Sequence, residues 1–195
     1  MSTSTQIWSV GHSNHSIERF LQVLVDVEIE CVVDVRSQPY SKYTPHFNGA
    51  PLESSLVKAG IDYVFMGDSL GGRPPEPFMY DDEGHALYGE MAKSERLLGG
   101  LEKLLLISSS RRTVMMCSEE SPADCHRRLL IARVLAEGVE IVHLRADGSQ
   151  IREADFSALV DPPEQPTLFA LEEVKTWRSI RPVLRNMVPG VSSGH

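Results

Sequence analysis

The sequence predicts an α/β domain: a three-layer, mainly parallel sheet of five strands with helices on both faces, followed by a C-terminal extension. Three observations predict it. Five short β-branched runs alternate with segments of helical periodicity. One of them, Cys31 to Val35, is almost continuously apolar, the pattern of a strand covered on both faces. The composition, 42% apolar and 24% charged over 195 residues, suffices for one real core. Aromatics supply only 7%, so that core falls mainly to Val, Leu and Ile.

The first strand is Gln6-Ile7-Trp8-Ser9-Val10, ending at Gly11-His12-Ser13. Ser16 caps a helix running to about Ile29, with Glu18 near its positive dipole end. Ile17, Phe20, Leu21, Leu24 and Val25 carry the helical spacing of a buried stripe. Cys31 to Val35 is the second strand, and a loop with Pro39 and Pro45 spans Arg36 to Asn48. Pro51 and Gly60 frame a short helix. Ile61 to Met66 is the third strand. Gly67 to Gly84, dense in Gly and Pro, is a loop long enough to act as a lid. Leu97, Leu101, Leu104 and Leu105 mark a helix, and Arg112 to Met116 the fourth strand, which runs into Cys117. Pro122 or Ala123 begins the next helix, stopped by Gly138, and Glu140 to Leu144 is the fifth strand.

The α/β domain is expected over residues 1–150 and the extension over 151–195. In the extension, Leu168, Leu171, Val174, Trp177 and Ile180 suggest one helix, which packs on the body or on a second copy of the chain.

The formal net charge of −8 weighs against a broad nucleic-acid binder, and no apolar run is long enough to span a bilayer. Met1 to Gln6 lacks the features of a signal peptide, and three cysteines make no disulfide scaffold. A reducing, cytoplasmic compartment is expected.

Ligands of open α/β sheets bind outside the strand carboxyl ends. There the sequence gathers His12 and Ser13, then Asp34 and Arg36, then Gly71, Gly72 and Arg73, and finally Cys117 and Glu119 with Cys125, His126 and Arg127. Asp34, Glu119 and His12 are candidate acid/base groups, and Cys117 is a candidate thiol. Ser13, Arg36, Gly71, Gly72, Arg73, His126 and Arg127 are candidate ligand-binding residues. Plainer readings stand beside these: His12 as a helix cap, Asp34 with Arg36 as a structural ion pair. Glu119 and Glu120 would repel a phosphate at Cys117, and no arginine closes a short loop after it. A phosphatase-type thiolate cradle is therefore disfavoured. Cys117, Cys125, His126 and His12 form the alternative metal set, although Cys-x7-Cys-His is not a standard zinc spacing. On a regular helix Cys125, His126 and Arg127 point about 100° apart.

These motifs, taken in order, resemble the "domain of unknown function 488" family of small prokaryotic proteins. The matching pieces begin with Gly11-His12-Ser13 and Phe20, then Asp34-Val35-Arg36-Ser37 with Pro39, Ser41, Pro45 and Phe47. Gly67-Asp68-Ser69-Leu70-Gly71-Gly72-Arg73-Pro74 follows, then Tyr88 with Met91. Met116-Cys117-Ser118-Glu119 with Pro122 and Cys125-His126-Arg127-Arg128 comes next, and His143-Leu144-Arg145-Ala146-Asp147-Gly148 closes the set. The resemblance covers about Ile7 to Gly148. It implies an α/β domain with a pocket built from these motifs and supplies no reaction.

The leading expectation is an enzyme acting on a small anionic metabolite, such as a nucleotide or nucleoside derivative. The alternative is a non-catalytic ligand- or metal-binding module that senses or interacts. No cofactor is implied.

Overall fold

The computed structural model describes residues 5–161 and 176–184. Six strands form one sheet: β1 (Thr5–Gly11), β2 (Cys31–Asp34), β3 (Asp62–Phe65), β4 (Thr113–Cys117), β5 (Val139–Leu144) and β6 (Gln150–Arg152). Their order is β3-β2-β4-β1-β5-β6, parallel throughout except for β6. The helices are α1 (Ile17–Asp26), α2 (Gly49–Lys58), α3 (Gly67–Leu70), α4 (Tyr88–Met91), α5 (Glu95–Ser108), α6 (Arg133–Leu135) and α7 (Glu153–Val160). A π-helical segment, Arg127–Ala132, leads into α6. No helix among the described residues is long and apolar enough to cross a membrane.

Alternation along each strand builds the three layers. Trp8, Val10, Val32, Val114, Met116, Val142 and Leu144 face α1 and α2, meeting Phe20, Leu24, Leu52 and Leu56. Ile7, Cys31, Val33, Met115, Cys117 and Ile141 face the opposite way, onto Leu97, Leu101 and Leu104 of α5 and Leu130 and Ile131 of the π-helix. Full burial of one such Leu or Ile contributes about 1.5–3 kcal/mol, so neither face can lose several of them. Ser16 caps α1 as expected, its hydroxyl accepting the Arg19 amide at 3.2 Å.

Four expectations need correction. The sheet has a sixth strand: Asp147-Gly148 turns the chain into a hairpin, and β6 pairs antiparallel with β5, so the expected boundary at 150 falls at its first residue. Helix α2 starts at Gly49 behind Asn48, which puts Pro51 at its third position, still within the first turn where a missing amide costs nothing. The helix expected from Pro122 begins only at His126. Residues 118–125 form turns instead, and Cys125 donates its amide to the Pro122 carbonyl at 3.2 Å. The helix expected over Leu168 to Ile180 is absent from residues 176–184, which are irregular; Leu168, Leu171 and Val174 lie outside the described residues, as does the segment after 184.

Topology opens a crevice around the end of β4. The helices that follow its neighbours β1 and β2 lie on one face, and the helix that follows β4 lies on the other. Such a reversal leaves room for a ligand beyond the strand ends.

Candidate functional site

A cleft of about 680 Å³ lies there. Its walls include Arg36, Gly72, Arg73, Tyr88, Cys117, Glu119 and His126, together with Ser179 to Val183 of the returning tail. A second cavity, about 590 Å³, lies between α6, β5 and α7. Its buried cation is already paired: Arg128 binds Glu153 at 3.0 Å and Asp161 at 2.5 Å. The reactive groups belong to the first.

On the β2 side stands a buried polar cluster. Asp34 is fully buried and Arg36 nearly so; residues two apart at a strand end share a face, and they pair there at 2.6 Å. Tyr63 donates to the same carboxylate at 2.8 Å, and burial followed by the Asp34 charge pushes its hydroxyl pKa up. Arg36 also donates through Nη1 to His12 Nε2 at 3.0 Å. Guanidinium cannot accept, so His12 must keep its proton on Nδ1, which meets the Ser13 carbonyl at 2.8 Å. The ring stacks on Phe47 with centroids 4.3 Å apart. Burial, then the Arg36 charge, lowers the His12 pKa to about 4. His12 is thus neutral with both nitrogens engaged.

On the β4 side the side chains converge differently. Cys117 ends the strand, and the turn after it returns Cys125 and His126 to face it. Cys117 Sγ lies 2.9 Å from Glu119 Oε2 and 3.7 Å from His126 Nδ1. Cys125 Sγ lies 3.3 Å from the same carboxylate oxygen and 3.9 Å from the same nitrogen. His126 Nε2 donates to the Val35 carbonyl at 2.9 Å. The 100° splay expected of Cys125 and His126 is absent because Cys125 precedes the helix, and the π-turn behind His126 widens the first coil.

The two thiols differ in acidity. Contact with Cys125 and then burial push Cys117 well above the ordinary thiol range. Burial opposes ionisation of Cys125 too, but the Cys117 hydrogen bond, the Arg127 charge and His126 outweigh it and lower its pKa. Burial also opposes the charged form of His126, whose pKa is nonetheless raised by Cys125 and then Glu119. Tyr88 in the wall is pushed up by burial and by this thiol–carboxylate group.

Close approach makes the geometry possible. A Cβ on Gly11 would lie 1.8 Å from the Glu119 carbonyl oxygen, and one on Gly72 would lie 2.7 Å from the His126 ring. Only glycine lets these segments touch. Arg127, fully buried, ties down the same turn by donating to the Glu119 and Glu120 carbonyls. Behind it Ser9, His143 and Glu153 form a chain, with Ser9 Oγ 2.7 Å from His143 Nδ1 and His143 Nε2 2.6 Å from Glu153. The connectivity is that of a hydrolase triad, yet Ser9 and His143 stand on the paired strands β1 and β5 and are sealed from solvent. Ser9 accepts from Arg127 Nε at 3.3 Å, so the chain braces the arginine.

Of the residues expected at a site, Arg36, Gly72, Arg73, Cys117, Glu119 and His126 line the cleft. Cys125 lies behind that wall and Arg127 beneath it. Asp34 and His12 stand behind Arg36. Gly71 packs on Ser37, and Ser13 is held by its amide to the Ser118 carbonyl at 2.9 Å. His12 does not join the sulfurs: the metal-compatible group is Cys117, Cys125 and His126, with their ligand atoms within 4.8 Å of one another.

Sequence reasoning missed Tyr88 as a wall, although it stands within one of the matching motifs, and it placed the tail on the body without giving it a part in the cleft. Trp177 Nε1 donates to the Leu129 carbonyl at 2.7 Å, and the His85 ring meets the Ser179 carbonyl at 2.6 Å. The tail thereby docks on this body and pins the end of the Gly67–Gly84 loop through Val183 to Gly84.

Residues 16–134 match the family described as Domain of unknown function DUF488. No curated protein and no solved structure matches the chain.

Proposed function

Since the chain belongs to the domain of unknown function 488 family, whose description names no reaction, we propose its function from the geometry: an enzyme acting on a small anionic metabolite, such as a nucleotide or nucleoside derivative. One observation carries this reading. A single cleft brings Arg36 and Arg73 together with Cys117, Glu119 and His126. Of the five N–H groups on Arg36, three are committed to Asp34 and His12, which leaves two for a ligand. Arg73 is exposed, with no side-chain ion pair among the described residues.

Arg36 and Arg73 hold the anion. Asp34 and His12 position Arg36 and move no proton. Glu119, exposed to the cleft and touching both thiols, is the acid/base group. The free cysteines support a protein of a reducing compartment.

The test is a thermal-shift screen of nucleoside mono-, di- and triphosphates and phosphorylated sugars, followed by turnover assays on whatever binds. Arg73→Ala weakens binding at least about tenfold, the loss of one charge-assisted hydrogen bond. Glu119→Gln keeps the binding and loses the turnover. The reading fails if no anion stabilises the wild type, or if Glu119→Gln turns over at the wild-type rate.

A further inference from the structure

We propose that Cys117, Cys125 and His126 bind a zinc-class divalent ion with one coordination position open to the cleft. The site stands on its own observations, whether or not the cleft turns over its ligand.

The donor set comes first. Two thiol sulfurs and one imidazole nitrogen lie within 4.8 Å of one another. In a tetrahedron with metal–sulfur spokes of about 2.3 Å and metal–nitrogen spokes of about 2.0 Å, the sulfur–nitrogen edge is about 3.5 Å. The two sulfur–nitrogen separations are 3.7 Å and 3.9 Å. On these two edges an ion needs only a few tenths of an ångström of adjustment from the protein, and the third edge, between the sulfurs, lies within 4.8 Å.

The imidazole is aimed as well as placed. The Val35 carbonyl can only accept, so its 2.9 Å contact holds the proton on Nε2 and turns the Nδ1 lone pair toward the sulfurs. Ligating histidines are oriented by this kind of outer hydrogen bond. The backbone is equally committed: Gly72 packs on the ring, and Arg127 ties down the turn between the cysteines. Three donors from a strand end and a helix start are thus held in register by the fold itself.

Donor softness selects the ion. Two thiolates and an imidazole favour zinc and neighbouring first-row metals over magnesium or calcium, which take oxygen ligands. Three protein donors, rather than four, are the number found where a position stays open for water or substrate. Cys117 and His126 line the cleft, so that position faces it. Glu119 Oε2, near both sulfurs, stands where it can hold a water bound at that position.

The experiment uses the full-length reduced chain, stripped with a chelator and titrated with Co(II). The expected result is stoichiometric binding with thiolate-to-cobalt charge transfer in the near ultraviolet and the intense visible bands of a tetrahedral site. Zn(II) should displace the cobalt and abolish those bands. Cys125→Ser and His126→Ala lose the charge-transfer signal or weaken binding at least about a hundredfold. Glu119→Gln keeps the signal, because the carboxylate is not needed to form the thiolate bonds. If a cysteine variant fails to fold, thiol alkylation of zinc-loaded wild type provides the same answer by releasing zinc in step with modification. A folded wild type that binds cobalt without thiolate charge transfer, or alkylation that leaves the zinc in place, overturns the proposal.

Discussion

Two polar clusters sit at the carboxyl ends of the neighbouring strands β2 and β4, and they use their hydrogen-bonding capacity in opposite ways. Around β2, Asp34 takes Arg36 and Tyr63, Arg36 takes His12, and His12 returns its other nitrogen to the backbone. Each charge there meets its opposite. Around β4, two sulfurs, an imidazole nitrogen and a carboxylate oxygen crowd toward one point. Thiols are weak donors, and the groups facing them are acceptors with capacity left over. The first arrangement is what a fold needs to keep a buried guanidinium in place. The second brings donors together that have more to gain from a ligand than from one another.

Removing a member of the closed cluster should therefore cost the most. Asp34→Ala leaves Arg36 buried without its counter-charge, and breaking such a pair costs about 3–5 kcal/mol. Urea unfolding of the two proteins measures it; a loss below about 1 kcal/mol would mean that water reaches Arg36 freely and the cluster is not closed.

The next effect is read in pH. His12 has a folded pKa of about 4, set by burial and then by Arg36, against about 6.5 when unfolded. Between those values the unfolded chain binds a proton that the folded chain refuses, so stability falls as pH drops through that window and levels off below it. The contribution is on the order of 3 kcal/mol. Unfolding at about pH 7 and about pH 4.5 should narrow the stability gap between wild type and His12→Gln by about 2–3 kcal/mol. Parallel profiles would show His12 to be solvated.

The closed cluster was half legible in the sequence. Asp34 and Arg36, two apart at the end of an apolar strand, invite pairing on one face. Tyr63 and Phe47 lie far off in the chain, and nothing local announces that they meet Asp34 and His12. The open cluster was legible in residue type but not in direction. Regular helix geometry separates Cys125 from His126, and no propensity in Pro122-Ala123-Asp124 announces that the turn persists to Cys125 and that a π-turn follows. Strands β1, β2, β4 and β5 came through because apolar runs report burial directly; the edge strand β3, none of whose residues is buried, came through on its β-branched and aromatic residues. Strand β6 has only Gln150, Ile151 and Arg152, too short for a period of two to show. Trp177 and Ile180 fell into a helical spacing by chance; Trp177 is held by one indole hydrogen bond and by Arg133, whose guanidinium lies 4.4 Å from its ring.

The smallest expected effect tests the contrast most sharply. Glu119 sits between two thiols at the centre of the candidate chemistry, so a structural importance equal to that of Asp34 is the natural guess. Its surroundings argue otherwise. The residue is exposed, and its carboxylate is met by weak sulfur donors rather than by a buried guanidinium. The Arg127 contacts that fix this turn go to the Glu119 and Glu120 carbonyls, which a side-chain change leaves intact. Glu119→Gln preserves shape and keeps an acceptor oxygen, so chelator-treated protein should unfold within about 1 kcal/mol of wild type. Asp34→Ala, which strips a buried guanidinium of its counter-charge, should cost several times more. A Glu119→Gln loss as large as that of Asp34→Ala would erase the distinction and make the β4 cluster scaffolding as well. A near-silent melt beside a lost turnover would instead mark Glu119 as a group the fold can do without and the chemistry cannot.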